Sequence, residues 1–166
     1  RTVIAGPAMF ASDVVVLRGA QEEMWQKLLQ LQFSATPGDV LRWLLDHGVA
    51  GTIEAYGSNA DVGQRAMREG TLGIARWTNK LRAAMNAAPG HRALLGGLKR
   101  AAYTDPAGPR GRLLFVHAGI DPTRPLSAQS DSLWWNPGAF KAIGGPYGEF
   151  GLIVRGFDPR HAGVES

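Results

Sequence analysis

The stretch Asp13–Trp25, "DVVVLRGAQEEMW", joins an apolar run to an amphipathic segment through a short polar turn. The three consecutive β-branched valines predict a buried strand over Asp13–Leu17, and the spacing of the later apolar residues predicts a helix over Gln21–Gln32. A turn between a strand and a helix commonly presents catalytic groups. Here the turn carries Ala20 and Gln21, which offer neither a good metal ligand nor a proton-transfer group.

Two further apolar runs predict strands in the second half of the chain. One covers Leu113–Val116 inside "GRLLFVHAGIDP" and opens into a polar loop at His117. The other is "GLIVRG", Gly151–Gly156, which is followed by the loop "FDPRHAG". Strands that are separated by helical segments and end in polar loops indicate an α/β domain.

The segment between the first two predicted strands is mainly helical in pattern. "TPGDVLRWLLDHG" predicts a helix with Thr36 as N-cap, Pro37 in the first turn and Gly48 as the stop. "GTIEAYG", Gly51–Gly57, is interpreted as a short connector.

The helical pattern continues after this connector. We expect helix over Arg65–Ala87, broken near Gly70 and Gly73, and a short helix in "PGHRALLGGL" that Gly96 and the next glycine end.

Composition limits the class of protein. A chain of 166 residues can form one domain with its own core, and 45% hydrophobic against 19% charged residues is a globular balance. With no cysteine, disulfides, thiol catalysis and zinc–thiolate sites are excluded. No apolar run predicts a membrane span, and no leader is recognised, so we expect a cytoplasmic protein. The net charge of +4 comes without a basic run or an RNA-binding aromatic motif, so we expect no nucleic-acid partner.

The three strand ends, taken in order, resemble the calcineurin-like metallophosphoesterase superfamily, and most of all the bacterial Ser/Thr protein phosphatases and diadenosine tetraphosphatases. "LRGAQEEM" stands where the family has L-R-G-N-H-E, and "LIVRGFDP" where it has V-V-H-G-H-T-P. "LLFVHAGIDPTRPLSAQSDSLWW" is similar to its F-V-H-A-G-I-x-P…P-L-x-x-Q…L-L-W segment. The resemblance extends from Asp13 to Pro159. It implies a sandwich of two mixed β-sheets flanked by helices, here without the N-terminal strands. The chain would be one partial domain, 1–166, with 21–102 as a mainly helical insert over the site face.

The resemblance also implies a chemistry, in which two divalent metals activate a bridging hydroxide and bind the phosphoryl oxygens. Carried over by position, the metal-bridging Asn becomes Ala20, and the His that assists the leaving group becomes Gln21. The last His ligand becomes Phe157, and its companion becomes Arg155, a fixed cation. His117 alone stands at a ligand position, as a vestigial ligand or as a residue kept for the turn. The two Asp-bearing motifs of the family would fall before the first residue.

The resulting hypothesis is a degenerate, catalytically inactive phosphatase-like protein, a pseudoenzyme that binds a protein partner or a phosphorylated ligand and needs no cofactor. The alternative is an active phosphoesterase with a rebuilt centre of two divalent metals (Mn, Fe or Zn), in which Asp121 or Asp158 joins His117. A third option is an anion or nucleotide sensor in which Arg18 and Arg155 replace the charge of the metals. Against that option, each arginine could simply be solvated or paired with a carboxylate.

Overall fold

The structure is a computed structural model that describes residues 14–104, 111–135 and 137–156. These residues form a mixed α/β protein that divides into two compact units. One is the helical unit Ala20–Gly96, and the other, called the sheet unit, comprises the described residues of Arg1–Gly19 and Gly97–Ser166. The α/β class predicted from the sequence is therefore confirmed.

The helical unit consists of short helices around an apolar core. They are α1 (Ala20–Leu29), α2 (Pro37–Asp46), α3 (Ala50–Ala55), α4 (Ala60–Arg68), α5 (Gly70–Ala87) and α6 (His91–Gly97), with a 3₁₀ turn at Leu31–Phe33. The core residues recur at helical spacing, so that each of α1 to α5 presents one apolar side to its neighbours. The buried side chains include Met24, Trp25, Leu28, Leu29, Leu31, Leu41, Leu44, Val49, Ile53, Ile74, Trp77, Leu81 and Met85.

The first half of the helical unit confirms one prediction and corrects another. Helix α2 begins at Pro37 and stops before Gly48, whose φ of 93° takes the chain out of the helix, although the Thr36 side chain forms no capping hydrogen bond. The expected connector at Gly51–Gly57 is wrong, because most of it lies in α3. Ile53 in this helix is fully buried, so its packing overrides the local signal of the flanking glycines.

The two glycines expected to interrupt Arg65–Ala87 behave differently. Gly70 has a φ of 71° and separates α4 from α5, as predicted. Gly73 does not break a helix but lies inside α5, where a Cβ would sit 2.6 Å from the backbone oxygen of Ala66. Close approach of the chain, rather than a turn, therefore requires glycine at this position.

The sheet unit contains a three-stranded mixed sheet. Its strands are β1 (Ala102–Tyr103), β2 (Arg112–Val116) and β3 (Phe150–Arg155), in the order β1-β2-β3, with β1 antiparallel and β3 parallel to β2. Helices α7 (Ser132–Trp135) and α8 (Pro137–Lys141) lie between β2 and β3 in the sequence. The core is an apolar cluster of Leu114, Val116, Ile120, Leu133, Trp134 and Phe150. The strands predicted at Leu113–Val116 and Gly151–Gly156 are confirmed, whereas β1 and α8 were not predicted.

The strand predicted at Asp13–Leu17 is not found in its described part. Val15 and Val16 are 52% and 44% exposed, and Leu17 forms only an isolated parallel bridge with Lys99. Two backbone hydrogen bonds make this bridge, from the Lys99 N–H to the Val16 oxygen and from the Arg18 N–H to the Lys99 oxygen. Three β-branched residues favour an extended chain, but a strand also needs a neighbour to continue the ladder.

The larger architecture implied by the resemblance stays a prediction. The sheet unit contains one small mixed sheet, and residues 20–96 form the separate helical unit. That the segment 21–102 is an insert over a site face stays a prediction. Within the described ranges, none of the helices combines the length and the apolar character that a bilayer crossing requires.

Candidate functional site

The ends of β2 and β3 meet at one edge of the sheet. Val116, the last residue of β2, is the register partner of Arg155, the last residue of β3. The Gly156 N–H then donates to the Val116 oxygen at 3.0 Å and to the His117 oxygen at 3.1 Å. Because the two strands are parallel, the loops that follow them begin side by side. The structure therefore brings His117 and Arg155, two of the residues singled out in the sequence, to the same edge.

Arg155 is partly buried at this edge. Its guanidinium carbon lies 4.6 Å from the centroid of the Phe140 ring, which is the geometry of a cation–π contact. Its partner Val116 is buried in the core, and register partners in a sheet project from the same face. Arg155 thus places a permanent positive charge close to the position where the family resemblance expects a metal ligand.

Gln129 organises the loop that follows His117. Its side chain is fully buried, its Oε1 accepts the Asp121 N–H at 2.6 Å, and its Nε2 donates to the oxygens of Asp121 and Arg124, each at 2.9 Å. These bonds attach the backbone of the turn at Asp121 to one buried side chain. No role was predicted for Gln129 from the sequence, where its signal was its place in the segment that resembles the metallophosphoesterase motif.

The Asp121 carboxylate is engaged within its own turn. It accepts hydrogen bonds from the Thr123 hydroxyl at 2.6 Å and the Thr123 N–H at 2.9 Å, and lies 3.2 Å from the Arg124 guanidinium. The hydroxyl and N–H of Thr123 lower the pKa of Asp121, and the charge of Arg124 lowers it further, against a smaller opposing effect of desolvation. Its oxygens therefore serve an Asx-type turn, which does not favour its proposed use as a metal ligand.

Gln21 has a structural contact inside the helical unit. Its Nε2 donates to the backbone oxygen of His47 at 3.0 Å, at the residue that ends α2. Ala20, the residue before it, is the first residue of α1. Gln21 thus satisfies one of the carbonyl groups that a helix leaves open at its C-terminus.

The structure describes only some of the remaining residues that the sequence singled out. Arg18 follows the isolated bridge, and its backbone N–H donates to the Lys99 oxygen at 2.8 Å. This contact fixes the backbone of Arg18 but does not test its proposed role with Arg155 in binding an anion. Phe157 and Asp158 lie outside the described residues.

Among the described residues, the donors near His117 do not fit a two-metal centre. His117 supplies one imidazole, its neighbour across the strand ends is the cation of Arg155, and the Asp121 carboxylate is held by Thr123 and Arg124. Each metal of such a pair needs several N or O ligands. In the described part of the chain, no three His, Asp or Glu side chains are grouped as metal ligands would be.

Comparison of the chain with protein-family models, curated proteins and solved structures found no match. The resemblance to metallophosphoesterases accordingly depends on the motifs quoted above. Any functional proposal must be argued from the chemistry of the described residues.

Proposed function

We propose that the chain is a degenerate metallophosphoesterase-like domain, built on that family's two-sheet sandwich, which binds a phosphorylated ligand or a protein partner carrying one and does not cleave it. The observation that carries the proposal is the junction of the two strand ends, where the His117 oxygen accepts the N–H of Gly156. In the family pattern, the loops after these strands hold phosphate through metals. Here the same edge carries Arg155.

The side chains at the degenerate positions support binding without catalysis. The methyl group of Ala20 cannot coordinate a metal. The Gln21 amide cannot exchange a proton near neutral pH, and one of its two N–H groups donates to the His47 oxygen. Neither residue can perform the step that the family assigns to its position.

The charge at the strand ends supports a negatively charged ligand. A guanidinium keeps its charge at every physiological pH and forms charge-assisted hydrogen bonds with phosphate oxygens. The Phe140 ring against which Arg155 lies limits the orientations of the guanidinium and so lowers the entropic cost of binding.

The proposal is tested by separating binding from turnover in the whole chain. Binding of inorganic phosphate is measured by calorimetry in EDTA, and hydrolysis of p-nitrophenyl phosphate is measured after addition of Mn²⁺. We expect phosphate to bind in EDTA and no hydrolysis with Mn²⁺. Arg155→Gln is expected to weaken binding about tenfold, which corresponds to one charge-assisted hydrogen bond. Arg42→Gln is the matched control, because Arg42 is an exposed arginine of α2 that pairs with Asp39.

Two results would overturn the proposal in different ways. Mn²⁺-dependent hydrolysis that disappears in His117→Ala would establish the rebuilt metal centre and an active phosphoesterase. Phosphate affinity that is equal in Arg155→Gln and Arg42→Gln would remove the anion-binding role of the strand ends.

A further inference from the structure

A groove of about 230 Å³ lies between α4 and α5 in the helical unit, apart from the positions that the family resemblance singled out. In each helix the lining residues recur at positions i, i+3, i+4 and i+7, starting at Val62 in α4 and at Gly73 in α5. Residues with this spacing lie on one face of a helix, so two helix faces form the two sides of the groove. Its volume lies below the roughly 300–1,000 Å³ of drug-sized ligand sites, so it suits a small molecule or ion.

Buried residues form the floor of the groove. Ala66 and Trp77 both line it and are only 5% and 3% exposed. The Trp77 indole N–H donates to the Ser58 hydroxyl at 2.9 Å, which fixes the orientation of the ring. Because the floor is held by packing and by this hydrogen bond, the entropic cost of binding falls mainly on the side chains at the rim.

The rim of the groove carries three cations and one carboxylate. The Arg76 guanidinium donates to Oε2 of Glu69 at 3.0 Å, so these two charges balance each other. Within the part of the chain that the structure describes, no hydrogen bond or ion pair engages the side chains of Arg65 and Lys80. Both are exposed cations at the same groove. The rim therefore has two positive charges that no described carboxylate balances.

The donors of Arg65 and Lys80 suit an oxyanion with more than one negative charge. A guanidinium and an ammonium group carry hydrogen-bond donors and no acceptor. The guanidinium can form two parallel hydrogen bonds with one phosphate group, whereas the ammonium acts as a point charge. Like charges at one groove repel each other, and a ligand with two negative charges gains attraction from both cations. A ligand with two joined anionic groups therefore fits this rim better than one with a single anionic group.

We propose that this groove binds a small diphosphate, either inorganic diphosphate or the diphosphate end of a small ester. One phosphate group would accept hydrogen bonds from the Arg65 guanidinium, and the other would accept them from the Lys80 ammonium. The pair of Arg76 and Glu69 completes the rim beside them. The site belongs to the helical unit alone and does not depend on the binding proposed for Arg155 in the sheet unit.

The probes are inorganic phosphate, inorganic diphosphate and methyl diphosphate. Each is titrated into the whole chain in EDTA while the arginine Nε–H resonances are followed by NMR, and the Arg65 and Arg76 signals are assigned with their Gln variants. These signals belong to the groove, so a failure here is distinguished from a failure at the strand ends. We expect both diphosphates to shift them with a Kd of about 1 mM or tighter at about 20 mM NaCl, and more weakly at about 200 mM, because salt screens exposed charges. Phosphate should bind about fivefold more weakly. Tighter binding of one diphosphate identifies the source of the group and supports the proposal if both exceed phosphate.

Charge removal decides whether the groove itself recognises the anion. Arg65→Gln and Lys80→Gln, read from the Arg76 signal, should each weaken diphosphate binding about fivefold. Glu69→Gln should strengthen it, because a carboxylate that repels the ligand is lost. Arg68→Gln is the control, because Arg68 is an exposed arginine of α4 that does not line the groove. The proposal is overturned by equal binding of phosphate and diphosphate, by equal effects of Arg65→Gln and Arg68→Gln, or by the absence of a saturable shift at about 10 mM diphosphate in folded protein.

Discussion

The Gln129 side chain joins both ends of the Asp121 backbone unit: its Oε1 accepts the Asp121 N–H, and its Nε2 donates to the Asp121 oxygen. The amide thus bonds to the Asp121 backbone in the way that a neighbouring strand bonds to a residue within a sheet. The amide itself is fully buried, whereas Asp121 is partly exposed. The loop after β2 is therefore held in part by one buried side chain, together with the Tyr147 hydroxyl that donates to the Arg124 oxygen.

The first prediction concerns this amide. Gln129→Met keeps the shape of the side chain but leaves the Asp121 N–H without its partner, while the Asp121 oxygen keeps the bond from the Arg124 N–H, and should lower the free energy of unfolding by about 1–3 kcal/mol. Urea denaturation measures the change. Gln64→Met is the control, because Gln64 is exposed on α4, and it should change stability by less than about 0.5 kcal/mol. Equal effects of the two substitutions would contradict the assigned role.

The second prediction concerns the contact between α4 and α5. A Cβ on Gly63 would lie 2.7 Å from the six-membered ring of Trp77, whose indole N–H is held by the Ser58 hydroxyl at 2.9 Å. Gly63→Ala should therefore destabilise the protein by about 1–3 kcal/mol, because the buried ring must move. Thermal or urea denaturation tests this.

Gly51→Ala is the control, because it should change the free energy of unfolding in the opposite direction. Gly51 lies in α3, is exposed and has nothing within 4 Å of an added Cβ. The substitution should stabilise the protein by about 0.5–1 kcal/mol through helix propensity alone. A stabilising effect of Gly63→Ala equal to that of Gly51→Ala would contradict the close packing of Gly63 against Trp77.

Sequence patterns predicted those helices and strands whose position is determined by residues close together in the chain. The strands β2 and β3 carry apolar runs that end in polar loops, and α2 has a proline at its start and a glycine after its end. Parallel pairing then brings His117 beside Gly156, so the junction at the strand ends could be predicted in outline.

The remaining features depend on contacts between residues far apart in the sequence. The helix α3 forms because Ile53 is buried, and Val15 remains exposed because only an isolated bridge forms beside it. The bond from Gln21 to His47 spans 26 residues, and the buried role of Gln129 follows no periodicity. The sequence singled out Gln21 by its place in a motif, but it could not show that the side chain contacts His47.

The third prediction concerns the pH dependence of the Asp121 turn. The hydrogen bonds from Thr123 and the charge of Arg124 lower the pKa of Asp121, so the carboxylate is favoured in the folded state. The stability that it contributes is present above the ordinary Asp pKa and is lost as the pH falls through the lowered pKa. Carboxyl ¹³C NMR should show Asp121 titrating below the ordinary Asp value.

Two substitutions distinguish the causes of the lowered pKa of Asp121. Thr123→Val removes the hydroxyl bond, the largest cause, and should raise the pKa of Asp121 more than Arg124→Gln, which removes the smallest. Both substitutions should bring the pKa of Asp121 closer to the ordinary Asp value. The free energy of unfolding should then fall over a narrower pH range in acid. A larger effect of Arg124→Gln would show that charge, rather than hydrogen bonding, controls this carboxylate.

The fourth prediction concerns the hydrogen bond from the Gln21 side chain to the His47 backbone oxygen. Gln21→Leu removes the amide that satisfies the His47 oxygen and should destabilise the helical unit by about 1 kcal/mol. Gln30→Leu is a matched control, because Gln30 is exposed just beyond α1. The double variant Ala20→Asn/Gln21→His introduces the two residues of the motif that this turn resembles. It should lose the same bond and confer no Mn²⁺-dependent hydrolysis of p-nitrophenyl phosphate, because the cation of Arg155 and the occupied Asp121 carboxylate are unchanged. Hydrolysis gained by this double variant would mean that a functional metal centre needs only these two residues.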